Sequence, residues 1–98
     1  MIEAADVTRI AEQVAREKLG SENFVRAVAE PMVDWTGADA WRVLIVIPSD
    51  ALPRISGDSA LDNLMGLQEG LQKAGEDRFG FVEYATEEEL AAGDDPEC

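Results

Sequence analysis

The stretch Trp41-Arg42-Val43-Leu44-Ile45-Val46-Ile47 decides the fold. Its one charge is Arg42, and every other residue is β-branched or large and apolar, the composition of a buried strand. Working upstream, Asp34-Trp35-Thr36-Gly37-Ala38-Asp39 has the residues of a hairpin connection. Phe24 to Val33 then reads as the partner strand. Pro31, which lacks a backbone donor, belongs at an edge or a bulge and is expected to interrupt that strand. Downstream, Pro48 ends the central strand, and Ser49 to Gly57 reads as a loop.

Helices flank this hairpin. Residues 4–19 carry Val7, Ile10, Ala11, Val14 and Ala15 on one face, with Asp6 as a candidate N-cap and Gly20 as the stop. Residues 58–74 carry the stripe Leu61, Leu64, Leu67, Gln68 and Leu71, with Ser56 or Asp58 able to cap the start and Gly75 the end. Residues 79–84 read as a third strand. Thr86 followed by Glu89 has capping-box spacing for a last helix over 87–92.

The order α-β-β-α-β-α makes the second and third strands parallel, joined by a right-handed crossover through a helix. The expected fold is therefore α+β, a two-layer sandwich: a three-stranded mixed sheet covered on one face by two helices. One domain spans 1–93, and 94–98 is expected to be a flexible acidic tail. Trp41, Val43, Ile45 and Ile47 should lie beneath the helices. Arg42, Leu44 and Val46 would then form an apolar second face with no assigned cover, the first choice for a docking or homodimer surface.

The totals narrow the function. Twenty-one acids against eight bases give a net charge of −13 over 98 residues, with no histidine. Such a surface repels phosphate backbones and anionic lipid, so nucleic-acid and membrane binding are disfavoured. The one cysteine, Cys98, excludes an intrachain disulfide, and no apolar run approaches the ~20 residues of a membrane helix. A cytoplasmic protein is expected.

No catalytic, metal or nucleotide motif stands out, and no cofactor is expected. Asp58 with Asp62, and Asp34 with Asp39, could offer oxygen ligands to a divalent cation, but helix-start and turn chemistry account for both pairs. Ser56-Gly57-Asp58-Ser59 lacks the glycine and lysine spacing of a phosphate loop. Without histidine there is no ordinary base beside a Ser or Cys nucleophile, so the chain is read as not an enzyme. Gly66 and Gly70 each weaken the second long helix by about 1 kcal/mol relative to Ala. They mark either a smooth contact for a second chain or a crowded contact with the first helix. After Arg78 the chain holds acids and no base, with Glu87 and Glu88 among a run that reads as a solvated end or as a surface for a basic partner.

Two resemblances add to this. Gly75-Glu76-Asp77-Arg78-Phe79, leading into Val82-Glu83-Tyr84-Ala85-Thr86-Glu87-Glu88-Glu89-Leu90, resembles a group of small acidic bacterial proteins without an assigned function. Asp34-Trp35-Thr36-Gly37 and Ser56-Gly57-Asp58 fit the same group. That likeness implies a bacterial, cytoplasmic protein, encoded beside small helical HEPN-like proteins in a paired system of antitoxin type. The α-β-β-α-β order is also similar to ribosome-binding factor A and other type II KH-like domains. The Gly-x-x-Gly loop of RNA-binding KH domains is absent, and the charge departs from that pattern.

The reading is a protein-interaction module whose partner is another protein, basic or helical. Its contact residues are expected among Arg42, Leu44, Val46, Gly66, Gly70, Glu87 and Glu88. A KH-like nucleic-acid or ribosome-associated factor and a small carboxylate-based metal binder or enzyme are the alternatives.

Overall fold

The computed structural model describes residues 3–93, so the expectations for the 94–98 tail and for Cys98 lie outside the described residues. The elements run α1 (Ala4–Leu19), β1 (Arg26–Val33), β2 (Asp39–Ile47), α2 (Gly57–Lys73), β3 (Phe79–Thr86) and α3 (Glu87–Gly93). Single 3₁₀ turns at Ser21–Asn23 and Leu52–Arg54 lie in two of the connections. The sheet order is β1-β2-β3, with β1 antiparallel and β3 parallel to β2. The expected α+β sandwich and its mixed sheet are what the chain forms.

The strand that decided the fold is the central one, and its alternation sets the layers. Trp41, Val43, Ile45 and Ile47 are buried with Val7, Ala11, Ala15 and Leu19 of α1, Leu67 and Leu71 of α2, and Ala27 and Ala29 of β1. Fully burying side chains of this size contributes ~1.5–3 kcal/mol each. Small residues on α1 and β1 let the helix lie close to the sheet.

The helix ends follow from local chemistry. Ser56 caps α2, its hydroxyl accepting the Ser59 N–H at 3.0 Å, which leaves Asp58 in the first turn. Asp6 is not the N-cap of α1. Glu3 holds that position, and Asp6 accepts the Glu3 N–H at 3.2 Å from the first turn. Gly75 leaves α2 in the left-handed region at φ 88°, where a side chain would be strained. The box at α3 is present in both directions: Thr86 N–H donates to Glu89 Oε1 at 2.9 Å, and Glu89 N–H donates to Thr86 Oγ1 at 3.1 Å.

The strands differ from the sequence reading: β2 begins at Asp39 rather than Trp41, and β3 runs on to Thr86 rather than stopping at 84. β1 begins at Arg26 rather than Phe24, because the 3₁₀ turn at Ser21–Asn23 ends on Phe24, whose ring is buried in the core. Pro31 does not interrupt β1, which pairs with β2 through Val33. An edge strand has a free side on which a missing donor does not break the ladder.

Candidate functional site

The expected contact face of the sheet is held mainly by charge. Arg42 lies between Glu83 of β3, at 2.8 Å, and Glu30 of β1, at 3.7 Å. The hydrogen bond from Arg42 holds the Glu83 carboxyl below its ordinary 4.5 and raises the Arg42 guanidinium in turn. Leu44 is half-buried beside the exposed Val28. Val46 corrects the expectation: at 1% exposure, between Arg26 and Ala85 in the register, it has no surface to offer a partner. What remains open is a narrow apolar strip, Val28 with Leu44, beside a neutralised ion-pair row.

Gly66 and Gly70 face α1. A Cβ on Gly66 would stand 2.8 Å from Val14 Cγ1, and one on Gly70 would stand 2.7 Å from Ile10 Cγ2. Both neighbours are β-branched and cannot swing aside. The crowded contact between α1 and α2 therefore accounts for both glycines without a second chain.

A second exposed apolar surface lies where the start of α2 meets the free edge of β3. Leu61 is 55% exposed, Met65 60% and Phe79 45%. Ala60, Leu61 and Leu64 of α2 face Phe79, Phe81, Val82 and Tyr84 of β3 across a groove of about 460 Å³. Leu61 and Leu64, read from the sequence as core stripe, thus belong to a wall: the buried part of α2 is Asn63, Leu67 and Leu71. Because Val82 and Tyr84 point to the helix side and Phe79 and Phe81 to the other, the groove straddles the strand edge. Phe79 and Phe81 pack edge to face, with centroids 4.8 Å apart.

No Lys or Arg lines this groove. Asp58 and Asp62 stand within one turn of Leu61 on α2, Glu83 lies on β3, and Glu87 and Glu88 open α3, all exposed. Asn63 Nδ2 donates to the Tyr84 hydroxyl oxygen at 3.0 Å. Burial raises the Tyr84 phenol above its ordinary 10.0, and the Asn63 bond opposes that shift.

Two features missed in the sequence frame this site. Glu76 is buried and paired with Arg78 at 2.9 Å, and the Arg78 guanidinium lies over the Trp41 ring, 4.4 Å from its centroid. This cluster fixes the turn that launches β3. The Trp41 indole N–H is buried without a hydrogen-bond partner among the described residues, which costs ~1–3 kcal/mol. Trp35, by contrast, is 91% exposed at the hairpin tip. Asp34 is spent on that turn. It accepts from the Thr36 hydroxyl at 2.6 Å and from the N–H groups of Thr36 and Ala38, and the Thr36 hydroxyl leads in holding its carboxyl below the ordinary value.

Among the described residues no helix is long and apolar enough to cross a membrane. Comparison with protein-family models, with curated proteins and with solved structures found no match to this chain.

Proposed function

We propose that the chain is a non-catalytic, cytoplasmic protein-interaction module, an acidic partner of antitoxin or regulatory kind that masks another protein. One observation carries this reading: the exposed apolar groove between α2 and β3 is lined by no base, while the exposed acids Asp58 and Asp62 flank Leu61 of its α2 wall and Glu87 and Glu88 follow directly on β3. Apolar anchors surrounded by charge of one sign have the anatomy of a recognition surface. The anchors supply affinity, and the charge supplies steering and rejection of wrong partners. The net charge of −13 selects a basic partner and raises the association rate at low salt.

The test is affinity capture from the source cells, followed by reconstitution with the purified partner. The expected result is saturable one-to-one binding that weakens as salt rises. The reading fails if the chain retains nothing beyond what an unrelated protein of equal charge retains.

A further inference from the structure

The free edge of β3 has a direction and a gap. Gly80 donates its N–H to Gln68 Oε1 at 3.0 Å, and its C=O accepts from Gln68 Nε2 at 2.9 Å. Both backbone groups of Gly80 therefore point away from β2. Backbone groups alternate sides along a strand, so Val82, Tyr84 and Thr86 also present theirs to the free edge. The other side of the sheet agrees: Val46 C=O, even-numbered on β2, accepts from Val25 N–H toward β1 at 2.8 Å. Thr86 N–H is already taken by Glu89. Side chains of the chain itself thus close the edge at Gly80 and at Thr86. Among the described residues nothing bonds the outward groups of Val82 and Tyr84. These two consecutive ladder positions open straight onto the apolar groove.

Resting on the interaction reading above, we propose that this gap is a strand-addition site. A short extended segment of a partner protein pairs with Val82 and Tyr84, lays alternate apolar side chains into the groove, and carries Lys or Arg at its flanks. Val82 and Tyr84 each offer one N–H and one C=O, which gives main-chain affinity. The helix-side walls of Leu61 and Leu64, with Val82 and Tyr84, select apolar residues at every second position. The acidic rim selects the flanks. It also argues against a second copy of this chain, which would bring the same acids together with no base between them. Closing the ends confines pairing to a short segment, whereas a fully open apolar edge would invite indefinite stacking.

The test uses the intact protein and a synthetic peptide with Val and Phe at alternate positions, flanked by lysines. Two control peptides carry either glutamate flanks or N-methyl groups on the amides that would face the edge. The lysine-flanked peptide is expected to slow amide exchange at Val82 and Tyr84 and to bind at least ~10-fold more tightly than either control. Leu61→Lys, at an exposed position, should abolish this binding and leave the fold unchanged. Equal binding of all three peptides, or spectral changes confined to Val28, Arg42 and Leu44, would overturn the site. So would self-association through β3 in the free protein. If a captured partner binds Leu61→Lys as well as wild type, the strand-addition site is wrong while the interaction module stands; if nothing is captured, the module reading falls.

Discussion

The two edges of the sheet have been treated in opposite ways. On β1, the free side belongs to Ala27, Ala29, Pro31 and Val33. The Ala29 N–H donates to Thr8 Oγ1 of α1 at 3.2 Å, and Pro31 has no N–H to give. The remaining donors, on Ala27 and Val33, are separated and cannot seed a ladder. On β3, the blocks stand at the ends, Gln68 on Gly80 and Glu89 on Thr86, and the open positions are neighbours. One edge is disarmed along its length; the other keeps a window. Edges are ordinarily blunted because they aggregate, and the proposed docking rests on this window lying beside an apolar groove.

This contrast can be broken from either side. The largest effect is expected at Gln68→Ala. It leaves both Gly80 backbone groups without a partner in a buried position, for a loss of about 2 kcal/mol in denaturant unfolding. It also widens the window by one ladder position, so the Gly80 amide should exchange as fast as those of Val82 and Tyr84. Thr8→Val should cost about 1 kcal/mol by stranding the Ala29 N–H, and should raise the exchange rate of that amide alone. Pro31→Val restores a donor on β1. Stability should change by less than about 0.5 kcal/mol, while light scattering should show new association, because the second edge then gains a continuous run.

The smallest effect is electrostatic. Glu83 has a lowered carboxyl pKa through Arg42, so its contribution is complete above 4.5 and is lost as pH falls through the folded-state value. Glu83→Gln should flatten only that acid portion of the stability profile, and modestly, as befits an exposed pair.

The sequence showed the layers but not the edges, for a physical reason. Hydrophobic period placed Trp41, Val43, Ile45 and Ile47 beneath the helices, and cap chemistry placed Thr86 and Glu89. Which backbone groups face outward depends on register, and register is fixed by pairing between distant segments. Gln68 sat in the apolar stripe of α2, and its role as a stand-in strand partner for Gly80 is visible only once β3 lies beside it. Leu61 shares that stripe by spacing, yet the end of α2 that carries it leaves the core for the groove wall. Gly66 and Gly70 were open to two readings because a helical wheel shows a face and not its neighbour. Glu76 and Arg78 stand two apart in an acidic chain, and only the buried turn reveals them as a pair stacked on Trp41.

Native-state amide exchange, resolved by residue in the free protein, tests the central claim most directly. Val82 and Tyr84 should exchange far faster than Phe81 and Glu83, whose groups face β2, and faster than Gly80, Thr86 and Ala29, whose N–H groups are held by side chains. Protection of Val82 and Tyr84 equal to that of Phe81 and Glu83 would show the window already closed and contradict the account.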